Sequence, residues 1–238
     1  MRRALAFLTP IPVGDAGPPD RRTLGWFPVV GALIGLALGG IWWAADRVWP
    51  AAVAAAVVVA ADLALTGILH IDGLIDTADG LIPHLPRARR LEVMAQPDVG
   101  AFGVAIAIVV IALRVTALAS MTPRVLLLAG IWCASRTVMA VIAGALPYAR
   151  ETGLATTMLD GSGGAWKPIA LYGLIGSVSL GAFAGGRLEE AAVASVFLGG
   201  ALVAAAARRR IGGFTGDVLG AAGVVGETLA LLVAAGTW

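Results

Sequence analysis

Long apolar stretches separated by short polar segments dominate the sequence. Seven of them approach the roughly 20 residues that a helix needs to cross a hydrocarbon core about 30 Å thick. They are residues 27–45, 51–70, 99–120, 125–147, 168–185, 191–207 and 218–236. Apolar residues make up 59% of the chain and charged residues only 13%, far from the balance of a soluble domain. The pattern predicts an all-α fold, a polytopic membrane bundle of about seven transmembrane helices, with residues 1–238 as a single integral membrane domain.

The charges between these stretches predict the orientation. Seven spans place the two chain ends on opposite sides, and the side of the N-terminus carries twelve Lys and Arg residues against three on the other side. By the positive-inside tendency, we expect a cytoplasmic N-terminus and a multi-pass protein of the bacterial cytoplasmic (inner) membrane. The polar segments 70–98, 148–167 and 208–217 share that side, so we expect the active site to face the cytoplasm.

The segment Thr66-Gly-Ile-Leu-His-Ile-Asp-Gly-Leu-Ile-Asp-Thr-Ala-Asp-Gly80 carries the strongest candidate chemistry. If it is helical, Asp72, Asp76 and Asp79 lie at i, i+4 and i+7 and project from one face. Stacked carboxylates repel one another, and a divalent cation relieves the repulsion; oxygen ligands favour magnesium, manganese or calcium over zinc. The alternative is a solvated helix end. His70 either caps the preceding span or serves as a general base or phosphate contact.

Basic residues and a glycine-rich turn supply candidate phosphate contacts. Arg87, Arg89 and Arg90 either anchor the chain at the membrane or hold the oxygens of a diphosphate. The run Gly212-Gly-Phe-Thr-Gly-Asp217 opens the last apolar stretch. A helix N-terminus there presents free amides to an anion, whereas Asp217 is equally favourable as a charge next to the helix dipole.

Four charged residues fall within the apolar stretches. Asp62, Arg136 and Glu227 lie near the middle of the bilayer, where an unpaired charge costs about 3 kcal/mol or more. We therefore expect Arg136 to pair with Asp62, Glu227 or both. Arg114 lies closer to the end of its stretch, and we expect its side chain to snorkel to the interface.

Two classes of function are disfavoured. The basic residues form no stripe interleaved with aromatic residues, so no nucleic-acid partner is expected. Cys133 is the only cysteine, which excludes an intrachain disulfide, a redox pair and a thiolate metal site.

Several segments together resemble the cobalamin 5′-phosphate synthase family, also called adenosylcobinamide-GDP ribazoletransferase. In chain order they are Leu65 to Gly80, Leu91-Glu-Val-Met94 with Gly100-Ala-Phe-Gly103, Ser135-Arg136, Tyr148-Ala-Arg-Glu-Thr-Gly-Leu154 and Gly212-Gly-Phe-Thr-Gly-Asp-Val-Leu-Gly-Ala221. One departure follows Met94, where Ala95, Gln96 and Pro97 replace the basic residue, Asp and Ser that the family usually has, and Asp98 comes next.

The resemblance implies a magnesium-dependent transferase that joins adenosylcobinamide-GDP to alpha-ribazole, or its 5′-phosphate, and releases GMP. On this interpretation Asp72, Asp76 and Asp79 bind Mg²⁺, and His70, Asp76 or Asp79 accepts the proton of the attacking ribose hydroxyl. The expected substrate contacts are Arg87, Arg89, Arg90, Arg150, Thr215, Gly216 and Asp217. The partners would be these small molecules and the lipid bilayer, with a homo-oligomer left open. The alternatives are a CDP-alcohol phosphatidyltransferase-like enzyme and an ion-coupled transporter, which should show repeats and broken helices.

Overall fold

The computed structural model describes residues 1–150 and 166–236, and the regular elements in these ranges are helices. They are α1 (Arg2–Leu8), α2 (Arg21–Leu24), α3 (Phe27–Ala45), α4 (Ala51–Leu65), α5 (Leu69–Leu81), α6 (Arg87–Val93), α7 (Ala101–Ala119), α8 (Val125–Ala145), α9 (Trp166–Ala184), α10 (Arg187–Ile211) and α11 (Gly216–Ala234). The structure confirms the expected all-α class.

Within residues 1–150 and 166–236, six helices are long and apolar enough to cross a membrane, namely α3, α7, α8, α9, α10 and α11. The seventh expected span, residues 51–70, is different. Its helix α4 ends at Leu65, and α5 continues from Leu69 at an angle of 88° to it. The expectation of about seven spans therefore holds only if the bent pair is counted as one broken span.

The break between α4 and α5 lies at Gly67 and Ile68, whose φ angles are +59° and +64°. Glycine adopts this left-handed conformation readily. A β-branched residue such as Ile68 does so at a cost of about 1–3 kcal/mol. The amide of Ile68 donates to the carbonyl oxygen of Leu63 at 2.8 Å, which closes the end of α4. The strained turn directs α5 back along α11 and α7.

Glycines let the long helices pack at short distance, as small residues do in lipid. Along α3, a Cβ atom at Gly31 would lie 2.3 Å from the carbonyl oxygen of Trp132, and one at Gly35 would lie 2.3 Å from that of Leu128. Since residue numbers rise along α3 as they fall along α8, the two helices are antiparallel. Helix α8 is buried along most of its length and forms the centre of the bundle.

A network of buried charges holds the middle of the bundle together. Arg136 pairs with Glu227 at 2.5 Å, which confirms the expected pairing. Asp62 pairs instead with Arg114 at 2.8 Å, and Arg114 also reaches Glu227 at 2.6 Å. The expectation that Arg114 snorkels is wrong. Its side chain is 3% exposed, because it lies on the face of α7 that meets both carboxylates. Trp132 completes the network by donating to Asp62 at 3.0 Å.

Candidate active site

The candidate site lies at the end of the bundle that carries α6, residues 146–150 after α8 and the loop before α11, called the polar end below. Two segments at this end are held together by backbone hydrogen bonds. The amide of Ala149 donates to the carbonyl oxygen of Phe214 at 2.8 Å, and the amide of Phe214 donates to that of Pro147 at 3.0 Å. A Cβ atom at Gly213 would lie 2.0 Å from the Pro147 oxygen, so only glycine fits. This junction brings Arg150, after α8, beside Asp217 at the start of α11.

Helix α5 forms the facing wall. It is continuous from Leu69 to Leu81, which confirms that the three aspartates share one helix. The space beside Gly73 and Gly80, the glycines next to these aspartates, is occupied by other parts of the protein. A Cβ atom at Gly73 would lie 2.8 Å from the carbonyl oxygen of Asp217, and one at Gly80 would lie 2.3 Å from Cγ of Met94. Both glycines therefore serve the close packing of α5 against α11 and the end of α6.

Asp79 is bound by backbone amides. Its carboxylate accepts hydrogen bonds from the amides of Gly100 at 2.8 Å and Gly103 at 2.9 Å, and the residue is 8% exposed. These amides belong to the first turn of α7, which has no other side-chain cap. Asp79 thus caps α7 from a neighbouring helix and neutralises the positive end of its dipole.

The remaining carboxylates of the site meet between α5 and α11. Asp76 is partly buried and interacts electrostatically with Asp217, Asp72 and Asp79, and with one nearby cation, Arg150. Asp217 accepts from Nη2 of Arg150 at 3.0 Å and from the hydroxyl of Thr215 at 3.1 Å. The exposed Asp72 acts on both Asp76 and Asp217. The cluster of Asp72, Asp76 and Asp217 is consequently rich in negative charge, and the Arg150 guanidinium lies beside it.

The donor chemistry of this cluster suits a hard divalent ion. Among the residues that the structure describes, no group of three or more His, Cys, Asp or Glu side chains stands ready to hold a metal ion. The three carboxylates nonetheless repel one another, and a cation drawn between α5 and α11 would remove that repulsion. Asp79 differs from them because both of its oxygens already accept amides. Asp217 is therefore the better third oxygen donor beside Asp72 and Asp76.

His70 lies away from these carboxylates. It is 4% exposed and packs against Gly220 of α11, and neither of its ring nitrogens has a hydrogen-bond partner among the described residues. The charges that act on it are those of Arg136, Glu227 and Arg114 in the buried network. The structure therefore groups His70 with the interior of the bundle rather than with Asp76.

The predicted arginines have different surroundings. Arg90 is 8% exposed, and its Nη1 donates to the carbonyl oxygens of Gly80 and Leu81, both at 2.8 Å. Arg210, which sequence reasoning missed, also donates to the Leu81 oxygen. These two arginines hold the C-terminus of α5. Arg89 forms an exposed pair with Glu92, and the Arg87 guanidinium lies beside Gly212. The sequence does not indicate which of Arg87, Arg89 and Arg90 is buried in the fold.

At the start of α11, Thr215 is the N-cap. Its hydroxyl oxygen accepts from the amide of Val218 at 3.3 Å. A Cβ atom at Gly216 would meet no atom of the described residues within 4 Å. Tyr148 lies in the joined loop, where burial raises the pKa of its hydroxyl above the usual range of a tyrosine. Residues 151–154 of the quoted motif lie outside the described residues.

Comparison with known proteins gives one consistent result. The sequence profile of the cobalamin-5-phosphate synthase family matches residues 1–235. A protein of Bradyrhizobium diazoefficiens named adenosylcobinamide-GDP ribazoletransferase is 35% identical, over 99% of this chain and 92% of its own. A protein of the same name from Alkalilimnicola ehrlichii is 37% identical, over 96% of this chain and 92% of its own. A third, from Thermosynechococcus vestitus, is 47% identical over 50% of this chain and 49% of its own. No solved structure matches.

Proposed function

The chain belongs to the cobalamin-5-phosphate synthase family, and from that premise we propose that it joins adenosylcobinamide-GDP to alpha-ribazole, or its 5′-phosphate, with release of GMP. The observation that carries the proposal is the cluster of Asp72, Asp76, Asp217 and Arg150 between α5 and α11. Acidic oxygens beside a guanidinium suit a substrate that carries a diphosphate, because they can hold its counter-ion and its oxygens side by side.

The proposed reaction is a displacement at phosphorus. The ribose hydroxyl of alpha-ribazole attacks the phosphorus on the cobinamide side of the diphosphate. A new P–O bond forms, the bond to the bridging oxygen breaks, and GMP leaves with that oxygen. The proton of the hydroxyl passes to the Asp76 carboxylate, which is partly buried but reachable. His70 is less suited to accept it, since both of its ring nitrogens are buried.

The other residues of the cluster position the substrate. Arg150 is partly buried and reaches Asp217, so its guanidinium can turn to a phosphate oxygen that displaces the carboxylate. The open space at Gly216 allows the substrate to approach the first amides of α11. Arg87 and Arg89 are exposed at the rim. We propose Mg²⁺ as the cofactor, held by Asp72, Asp76 and Asp217; when bound, it neutralises charge on the diphosphate and on the departing GMP.

We also propose that this end faces the cytoplasm of a bacterial inner membrane. The charge distribution supports it, because the polar end carries most of the basic residues.

The test is a reconstitution of the full chain in liposomes with adenosylcobinamide-GDP, alpha-ribazole and Mg²⁺. GMP release and product mass are measured together with substrate accumulation. We expect magnesium-dependent GMP release without accumulation, and Asp76→Asn should lower the rate at least about 100-fold. Asp46→Asn, an exposed aspartate at the opposite end, is the matched control and should keep normal turnover. The bent α4–α5 pair is a feature of transporters, so accumulation without GMP release would replace this proposal by transport.

A further inference from the structure

Helices α9 and α10 form a hairpin that is closed at one end and open at the other. Near their connection the helices touch, since a Cβ atom at Gly181 would lie 3.1 Å from Cγ2 of Val193 and 3.3 Å from the carbonyl oxygen of Glu189. Toward the polar end they diverge. Ala170 of α9 and Ala205 of α10 there line opposite walls of a cavity of about 750 Å³.

The floor of this cavity is α8, and its walls are apolar. Six of the lining residues are alanines, whose short side chains leave the space between the helices unfilled. The lining comprises Val138, Val141, Ile142, Ala145, Leu146, Ala170, Leu174, Ala194, Phe197, Ala201, Ala204, Ala205 and Arg208. From Ala194 to Arg208, the groove follows α10 for about 21 Å at roughly 1.5 Å per residue. One leaflet of a bilayer contributes about 15 Å of hydrocarbon, so a single extended acyl chain fits this length.

One charge stands at the end of the groove. Arg208 is the only charged residue among the described residues that line it, and it is exposed at the polar end. The nearby Arg210 donates a hydrogen bond to the carbonyl oxygen of Leu81. Within residues 1–150 and 166–236, the Arg208 guanidinium makes no hydrogen bond or ion pair, and the backbone carbonyl of Arg208 is the acceptor of the Gly212 amide at 3.1 Å. A guanidinium that has no partner among the described residues, at the mouth of an apolar groove, complements a lipid phosphate.

We propose that the groove between α8, α9 and α10 binds one anionic phospholipid. One acyl chain lies along α10 from Ala194 to Ala205, and the phosphate contacts Arg208. The groove opens on the outside of the bundle and shares no residue with the cluster of Asp72, Asp76 and Asp217. The inference is therefore independent of the proposed reaction.

The headgroup contact is tested by titrating the purified full chain in detergent with phosphatidylglycerol or phosphatidylcholine and counting bound lipids by native mass spectrometry. We expect one phosphatidylglycerol to bind before further lipids add weakly, and phosphatidylcholine to bind less tightly. Arg208→Gln should weaken the first phosphatidylglycerol about fivefold, which corresponds to about 1 kcal/mol. Arg209→Gln removes the adjacent charge outside the groove and should change it little. Equal effects of the two variants, or equal binding of the two lipids, would overturn the headgroup assignment.

The acyl contact is tested by filling the groove. Ala201→Phe adds a ring inside it and should reduce the first binding step several-fold. Leu202→Phe adds a ring at the next residue, which is 60% exposed and outside the groove, and should leave the step unchanged. Undiminished binding to the Ala201→Phe variant would overturn the proposal. So would a lipid-free dimer that this substitution dissociates, because the groove would then be a contact between two copies.

Discussion

Substitution of Gly103 by alanine tests the contact that fixes α5 against α7. A Cβ atom at Gly103 would lie 2.5 Å from Oδ2 of Asp79 and 2.9 Å from the carbonyl oxygen of Ile75. Neither oxygen can move alone, since Asp79 is held by two amides and the Ile75 oxygen belongs to the α5 backbone. The two helices must therefore separate. Overpacking of this kind costs about 1–3 kcal/mol, which for a chain of this length lowers the melting temperature by roughly 2–12 °C.

The assay is thermal unfolding of the purified protein in one detergent, followed by GMP release at a temperature well below both melting points. Gly40→Ala is the matched control, because it also lies in a helix but a Cβ atom there meets nothing within 4 Å. This control should gain about 0.5–1 kcal/mol. Because α5 also carries Asp76, we expect Gly103→Ala to lose activity as well as stability. A Gly103→Ala protein that melts like Gly40→Ala would refute the close packing of α5 on α7.

Two further predictions concern the bundle and its orientation. Arg114→Met leaves Asp62 with Trp132 as its remaining partner and should destabilise the protein by about 3–5 kcal/mol in thermal unfolding. Adding Asp62→Asn should restore part of the loss, and no recovery would contradict the pairing. Cysteines placed at Pro18 and Asp46, in a chain whose own Cys133 is buried, should react differently with an impermeant maleimide in intact cells. Labelling is expected at position 46 and not at position 18, and the reverse pattern would contradict the proposed orientation.

The membrane spans could be predicted from the sequence because apolar length alone determines them. The break inside residues 51–70 could not, since Leu65 and Ile68 are both apolar and a single glycine in such a run usually means close packing. The strained Ile68 conformation depends on contacts that α5 makes with helices far along the chain.

The sequence predicts a cluster of acidic residues in the Asp-Gly segment, but it does not predict which residues from other helices lie beside each of them. In the structure, Asp76 interacts electrostatically with Asp217 and Arg150, and Asp72 with Asp76 and Asp217. Helical spacing also places Asp79 on the same face of α5 as Asp72 and Asp76. Such spacing describes one helix only and takes no account of α7, which packs against α5. The amides of Gly100 and Gly103 engage Asp79 from 21 and 24 residues away. His70 likewise appeared close to Asp72 along the chain, but the turn of the helix places it on another face.

The buried charge network also imposes an order on biosynthesis. Asp62 leaves the ribosome 52 residues before Arg114, a delay of about 3–10 s at roughly 5–20 residues per second. Arg136 precedes Glu227 by 91 residues, so the interval between the synthesis of these two partners is longer still. Until α11 is made, no complete set of partners exists, and these segments must be sheltered by the insertion machinery or remain near water. The synthesis of α11, which carries Glu227, is thus the step that completes the network.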